Sequence, residues 1–471
     1  MANSKPHLLL IPYPLQGHII PAVHLSLKLA AAGFSITFVN TEAVHHRLQT
    51  NGAAQSDIFA GARAAGFDIR YKLVSDGLPV SFDRSLYHDE FMAKLLHGLH
   101  RNVELLAGRL PALTGLIADT FFVWPATLAR SLGIPYISFW TEPALVFSLY
   151  YHMDLLRENG HFGSDARTDN RKDTITYLPG VTAIEPVDLM SYLQDTDTST
   201  VVHQIIYKAF DEAHRADFVL CNTVQELEPN TISAIQKKKP FYAVGPIFPT
   251  DVGRTTVVPT SLWTESDCSQ WLNSRPPGSV LYISFGSYAH VERRELEEIA
   301  HGVALSGVSF VWVLRPDVVS SEDPDPLPVG FREETAGRGI VVQWCCQTEV
   351  LGNSAVGGFL THCGWNSVLE SVWNGVPMIC YPLLTDQFTN RKLVVGDWKV
   401  GEGFNGGRGV VRREEVGKKI EGLMKGNEGE RMREELKNVR GVLRAAVAAG
   451  GSSGRNFERF VQDLKGWGRK V

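Results

Sequence analysis

Residues 357–381 read GGFLTHCGWNSVLESVWNGVPMICY. An apolar run from Gly357 to Thr361 leads into a stretch with helical spacing from Asn366 to Asn374, and a second apolar run follows from Val376 to Tyr381. Short apolar runs alternating with helices predict strands of a parallel sheet covered on both faces. The same order extends upstream through VLYIS (Val280 to Ser284), a helical period from Arg293 to Leu305, SFVWVL (Ser309 to Leu314) and GIVVQ (Gly339 to Gln343). It also recurs nearer the N-terminus. There HLLLIPY (His7 to Tyr13) precedes a helical period from Ala22 to Ala32 that Gly33 stops, followed by SITFVN (Ser35 to Asn40) and GLIAD (Gly115 to Asp119). A helical stretch from Trp124 to Ser131, PYISFW (Pro135 to Trp140) and FVLCNT (Phe218 to Thr223) close that half. Between Tyr242 and Glu265 the chain is Pro- and Gly-containing without helical period, which reads as an interdomain linker. The expected organisation is an N-terminal α/β domain over 1–245, a C-terminal one over 246–454, and an amphipathic helix within 455–471 that packs back on the N-terminal domain.

A chain of 471 residues is long enough for two such domains, and 44% apolar with 21% charged residues is an ordinary globular composition. Lys+Arg 46 against Asp+Glu 51 gives a net charge of −5, without the basic excess that binding to a phosphate backbone needs, so nucleic acid is excluded as a partner. The six cysteines make no CxxC pair, and there is no N-x-Ser/Thr sequon. The only apolar run near the N-terminus, HLLLI, is interrupted by Pro12 and Pro14, too short for a signal peptide and far too short for a membrane span. A cytoplasmic protein without a membrane span is expected.

In parallel α/β sheets ligands bind beyond the carboxyl ends of the strands, so polar residues there are the first candidates. They are His18 and Asp119 in the first half, and Ser287, Trp344 and the stretch from His362 to Ser367 in the second. Three familiar strings carry less weight. Gly401-Glu-Gly403-Phe-Asn-Gly406 spells GxGxxG, but no helical period follows it directly, so it reads as a flexible turn. Asp195-Thr-Asp197 and Asp323-Pro-Asp325 resemble metal-binding DxD pairs, but both lie in polar loops without a nearby His and read as solvated acids.

The 44 residues from Trp344 to Gln387 are different in kind. A strand running into His362-Cys-Gly364-Trp365 and then a helix with Asn366 and Ser367 in its first turn has free amide N–H groups, close backbone approach and short polar side chains. That combination suits a diphosphate. Glu370 stands one turn beyond Asn366 on the same face, where a carboxylate can accept hydrogen bonds from ribose hydroxyls, and Trp344 offers a flat face to a base. Singly, each has a packing explanation: a helix cap at Asn366, a core Trp344, a surface Glu370.

Together they resemble the signature box of the plant family-1 glycosyltransferases that use UDP-sugars, matching in length and at Trp344, Gln347, His362, Gly364, Trp365, Asn366, Ser367, Glu370, Pro377, Asp386 and Gln387. Gly17-His18, Asp119, FWT ending at Thr141, NTVQELE from Asn222, SFGS from Ser284 and LPVGFREET before the box extend the likeness over nearly the whole chain. The resemblance implies the GT-B fold: two facing Rossmann-like domains with an interdomain cleft, acceptor on the first and donor mainly on the second. It implies Trp344 against uracil, Gln347 and Glu370 near the ribose, and His362, Asn366, Ser367 and Ser287 at the diphosphate. Trp365, Asp386, Gln387 and Thr141 would contact the sugar, with Gly364 giving close approach. In the family a terminal Gln goes with UDP-glucose and a His with UDP-galactose, so Gln387 points to glucose. Cys346 and Leu384 depart from the usual pattern, and Leu384 bears on the wall of the sugar pocket.

An acceptor hydroxyl needs a base, and His18 suits that task with Asp119 fixing its tautomer. Aromatic residues around this region, with Phe121, Phe122 and Trp140 as the acceptor-binding set, favour a small apolar acceptor. The expected function is therefore an inverting, metal-independent UDP-glucose glycosyltransferase acting on a flavonoid, phenolic or terpenoid, through O or through C, N or S. It would need no cofactor besides the UDP-sugar co-substrate and would act as a monomer. The alternatives are a catalytically inactive sugar-nucleotide-binding homologue and a nucleotide-sugar epimerase.

Overall fold

The computed structural model describes residues 5–50, 57–163, 172–248, 258, 260–319, 325–404 and 411–468. The chain divides into two compact units. The first comprises 1–184, 195–263 and 446–471, and the second 185–194 and 264–445. Residues 246–263 thus belong to the first unit, together with the C-terminal segment, while the short stretch 185–194 joins the second.

The sheet of the first unit contains β1 (His7–Ile11), β2 (Ser35–Thr41), β3 (Ile69–Val74), β4 (Gly115–Asp119), β5 (Tyr136–Trp140), β6 (Phe218–Cys221) and β7 (Phe241–Ala243), in the order β3-β2-β1-β4-β5-β6-β7. Every pairing is parallel. Alternation along β1 explains how one strand serves two cores. Leu8 and Leu10 join Ile19, Val23 and Leu29 of helix Gln16–Ala31 and Phe457, Phe460 and Leu464 of helix Ser452–Gly466. Leu9 and Ile11 face Phe91, Met92, Leu95 and Val103 from helices His88–His97 and Leu99–Ala107. The C-terminal helix is tied to the first unit by a Tyr242 hydroxyl donating to Asp463 at 2.6 Å and an Asn456 amide donating to the Ala243 carbonyl at 2.9 Å.

The second unit repeats the plan with β8 (Val280–Ser284), β9 (Ser309–Val313), β10 (Gly339–Val342), β11 (Val356–Thr361), β12 (Met378–Cys380) and β13 (Gly401–Gly403), in the order β10-β9-β8-β11-β12-β13, again all parallel. Its core joins Leu281 and Ile283 to Ile299 and Val303 of helix Arg293–Ser306 and to Val416 and Ile420 of helix Arg413–Lys425. Each sheet therefore changes direction once, between β1 and β4 and between β8 and β11. Such switch points are where doubly wound folds leave a crevice for ligand. Among the described residues no helix is long and apolar enough to cross a membrane.

The structure corrects three readings of the sequence. β3 was missed because its middle residues are exposed or half-buried, so it lacks a continuous apolar run. β7 takes Tyr242 and Ala243 from the stretch read as linker, which makes it, and not β6, the last strand of the first sheet. Gly401–Gly403, read as a flexible turn, is an edge strand beside β12. Its glycines hid it from a hydropathy reading, and a Cβ on Gly401 would stand 2.7 Å from the Met378 carbonyl oxygen, so a side chain does not fit there. Asn405 and Gly406 of the same string lie outside the described residues.

Candidate active site

In the first unit the chain leaves β1 through Tyr13 and Pro14 and enters helix Gln16–Ala31, with His18 in its first turn, where its amide bonds the Leu15 carbonyl at 2.9 Å. β4 is hydrogen-bonded alongside β1 and ends at Asp119. The parallel register thereby brings two residues a hundred positions apart to one end of the sheet, and Asp119 Oδ2 lies 2.7 Å from His18 Nδ1. Asp119 is 1% exposed, and its other oxygen accepts the Phe121 amide at 3.0 Å, so the carboxylate is held from both sides. A carboxylate on Nδ1 leaves Nε2 as the basic nitrogen of a neutral imidazole. Thr141, placed with the sugar by resemblance, brings its Oγ1 to 3.0 Å from the same Nδ1.

Aromatic rings surround this pair. Tyr13 and Phe121 lie 5.6 and 6.0 Å from the His18 ring, Phe122 lies 5.3 Å from Tyr13, and Trp140 lies 5.2 Å from Phe121. Phe121 is half-buried, whereas Phe122 and Trp140 are each 1% exposed and stand in the layer behind it. The Trp140 indole N–H bonds the Pro143 carbonyl at 2.9 Å. Tyr13 was not singled out from the sequence, although its place five residues before His18 at the end of β1 was the signal available. The NTVQELE string has a structural role: the Glu228 carboxylate accepts from the Ala144 and Leu145 amides at 3.0 and 2.7 Å and from the Thr223 hydroxyl, capping helix Ala144–Tyr151.

In the second unit β8 and β11 end side by side, with Thr361 opposite Ser284. Beyond them, two glycines lie close against the Nε2 edge of the His362 ring: a Cβ on Gly286 would run into it, and one on Gly364 would stand 2.5 Å from Nε2. Arg315 fixes the Gly286 loop by donating to the carbonyls of Gly286 and Ala289, and it pairs with Asp317 at 2.8 Å. Burial and the Arg315 charge push the His362 imidazole down to about 4, so at neutral pH it offers an N–H and no positive charge. Cys363 adopts φ +66 to turn the chain into helix Trp365–Asn374, which Gly375 ends at φ +78. Asn366 and Ser367 lie in the first turn of that helix, and half-buried Ser287 lies on the facing loop.

Gln347 ties the box together. Its amide donates to Ser367 Oγ at 3.0 Å and to Glu370 Oε2 at 2.7 Å, and its oxygen accepts from the Tyr282 hydroxyl at 3.3 Å. Burial pushes the Glu370 carboxyl up to about 7, against which the Gln347 hydrogen bond works only in part. Trp344 is half-buried beside this cluster in sequence, its carbonyl accepting the Ser266 amide at 2.9 Å. Trp365, expected at the sugar, is 3% exposed and packs 5.9 Å from the Trp398 ring.

The turn carrying Asp386 and Gln387 is held by residues 185–194, a segment that sequence reading did not connect to it. The Ser191 amide bonds the Thr385 carbonyl at 3.0 Å, the Thr385 amide bonds Ser191 Oγ at 2.9 Å, and Arg391 pairs with Asp188 at 2.7 Å. Asp386 accepts from the Thr385 hydroxyl and the Asn390 amide, and Gln387 Oε1 accepts the Leu383 and Leu384 amides at 2.8 and 3.0 Å. Any contact of Gln387 with a sugar hydroxyl is therefore made by its N–H groups.

Of the two DxD strings, Asp197 bonds Ser199 through its amide and hydroxyl, Asp325 pairs with Arg332 at 2.8 Å, and Asp323 lies outside the described residues. Among the described residues no three His, Cys, Asp or Glu side chains converge as metal ligands.

Three comparisons bear on this arrangement. Residues 241–405 match the family described as UDP-glucoronosyl and UDP-glucosyl transferase. The chain is similar to UDP-glycosyltransferase 86A1 of Arabidopsis thaliana, 57% identical over 98% of this chain and 95% of the relative. It is also similar to 7-deoxyloganetin glucosyltransferase of Gardenia jasminoides, 35% identical over 98% of each. Among solved structures, Phytolacca americana UGT2 complexed with UDP-2fluoro-glucose and pterostilbene matches with a TM-score of 0.78, at 27% identity, over 98% of this chain and 100% of that one.

Proposed function

The chain belongs to the family-1 UDP-glycosyltransferases, with their GT-B fold, and from that premise we propose that it is an inverting enzyme transferring glucose from UDP-glucose to a hydroxyl of a small apolar metabolite, a flavonoid, phenolic or terpenoid. The observation that carries this reading is the His18–Asp119 pair at 2.7 Å beside Tyr13 and Phe121. His18 Nε2 takes the acceptor's proton as the acceptor oxygen attacks C1 of the sugar, and the C1–O bond to UDP breaks on the opposite face. Asp119 stabilises the imidazolium through Nδ1–H. The departing diphosphate is met by the amide N–H groups at the start of helix Trp365–Asn374 and by neutral His362, with Asn366, Ser367 and Ser287 as further donors. Trp344 takes the uracil face and the Gln347–Glu370 pair the ribose.

A relative named as a glucosyltransferase, and a similar structure that holds UDP-2fluoro-glucose and pterostilbene, support this choice of donor and acceptor class. Six free cysteines fit a reducing cytoplasm, and we assign the enzyme there as a monomer. Neither the inactive homologue nor the epimerase has an observation in its favour. The test is mass spectrometry of products from UDP-glucose and a panel of flavonoid, phenylpropanoid and terpenoid acceptors, run with EDTA since the reading requires no metal. Absence of any glucoside across the panel would overturn it.

Two further results are expected. Gln387 presents N–H donors in fixed geometry, and a site built for one hydroxyl leaves groups unsatisfied when that hydroxyl is inverted, at ~1–3 kcal/mol each. UDP-galactose should therefore have a kcat/KM roughly ten- to a hundredfold below UDP-glucose. A preference for another donor would refute the glucose assignment, and an unchanged ratio in Gln387→His would show that this residue does not set it.

The second concerns pH. Ribose hydroxyls need the carboxylate form of Glu370, which is present above about 7 and lost below it. Binding at lower pH must first remove that proton, so UDP-glucose, whose diphosphate does not titrate here, should bind about tenfold tighter at pH 8 than at pH 6. Calorimetry of wild type and Glu370→Gln checks it: the variant should show a flat profile, and a flat wild-type profile would remove Glu370 from the ribose.

A further inference from the structure

β1, β4 and β5 are consecutive in the first sheet, and each delivers one residue to the same ring nitrogen. His18 follows β1, Asp119 ends β4, and Thr141 directly follows β5. Asp119 is paired with Phe139, so Thr141 stands two residues beyond the level of the carboxylate. Nδ1 of His18 is 2.7 Å from Asp119 Oδ2 and 3.0 Å from Thr141 Oγ1. A carboxylate can only accept, which places the hydrogen on Nδ1 and makes the threonine oxygen a second acceptor of the same N–H. At 4% exposure, Thr141 makes this contact away from bulk water, where it is worth more.

We propose that Thr141 is a positioning residue for the His18 base, holding the ring and its Nδ1–H tautomer together with Asp119 so that the Nε2 lone pair is aimed at the acceptor. This rests on the transferase reading above and differs from the sugar contact that the resemblance assigns to Thr141. In the step it supports, the acceptor O–H bond breaks, the proton moves to Nε2, the oxygen's electron pair forms the bond to C1, and the C1–O bond to UDP breaks with its electron pair leaving on UDP. The positive charge that develops on the ring is shared with Nδ1–H, where the Asp119 charge and the Thr141 oxygen both stabilise it.

The experiment uses the full chain, UDP-glucose and two acceptors, an aliphatic alcohol and a nitrophenol acidic enough to be ionised at the assay pH. Thr141→Val removes the oxygen at nearly constant volume, and Thr141→Ser keeps it. The valine variant should lose roughly tenfold in kcat on the alcohol, the worth of one hydrogen bond. It should lose less than about twofold on the nitrophenol, which needs no base. KM for UDP-glucose should be unchanged, and the serine variant should restore the alcohol reaction. Equal losses on both acceptors, a raised donor KM at constant kcat, or a serine variant as impaired as the valine would each overturn the proposal. Both acceptors are chosen from those that give product with the wild type; absence of any product across the acceptor panel above removes the reading on which this proposal rests, a result visible before any variant is made.

Discussion

His18→Ala should lower kcat for a hydroxyl acceptor by ~10²–10⁴ while UDP affinity stays at its wild-type value. The imidazole is the group at the end of β1 able to take a proton, and its Nδ1 is already committed to Asp119 at 2.7 Å, so the deletion removes the base and leaves a buried carboxylate unpartnered by it. The nucleotide, in the proposed reading, is held by residues of the second unit, which the substitution does not touch. Steady-state kinetics on a weakly acidic alcohol, alongside calorimetric titration with UDP, separates the two quantities. Near wild-type kcat in the variant would mean that the base is elsewhere. Asp119→Asn should also be damaging, because an amide on Nδ1 no longer enforces the tautomer that frees Nε2.

Gly286→Ala should weaken UDP binding about a hundredfold. Gly286 sits at φ +75, where a side chain costs ~1–2 kcal/mol, and its new Cβ would enter the His362 ring for a further ~1–3 kcal/mol. Neither neighbour can yield cheaply. His362 is only 9% exposed, and the 286–289 loop is fastened by two Arg315 hydrogen bonds to its carbonyls. The strain is relieved by displacing the loop that carries Ser287 or by turning His362, and either change moves a group proposed for the diphosphate. Titration with UDP, with a urea melt as control, tests this. A variant that loses stability but binds UDP as tightly as wild type would show that this loop does not hold the diphosphate.

Much of this molecule is legible before any coordinates. Strands buried on both faces, such as Leu8 to Ile11 or Leu281 to Ile283, announce themselves because a parallel sheet between two layers needs apolar residues at every position. The strand-end rule then singles out His18 and Asp119, and Ser287, Trp344 and the His362–Ser367 turn, as candidates from a long chain. Elements whose burial is partial or whose residues lack side chains were hidden: β3 is exposed in its middle, and β13 is Gly-Glu-Gly. Burial within the aromatic set was equally hidden, since Phe121 and Phe122 are neighbours in sequence but only Phe121 is partly exposed.

The order of apolar runs and the local chemistry of a helix start are properties of short segments, so the doubly wound class and the candidates for an anion-binding turn and for a base follow from residue order. Contacts between segments far apart in the chain do not, because they depend on register and on which strands become neighbours. Pairing of Asp119 with Phe139 is what brings Thr141 onto His18, and the docking of 185–194 on Thr385 is what steadies the Asp386–Gln387 turn. Protonation follows the same division. His362 is neutral and Glu370 is pushed up to about 7 because packing removes water from them, a desolvation that no local pattern of residues encodes.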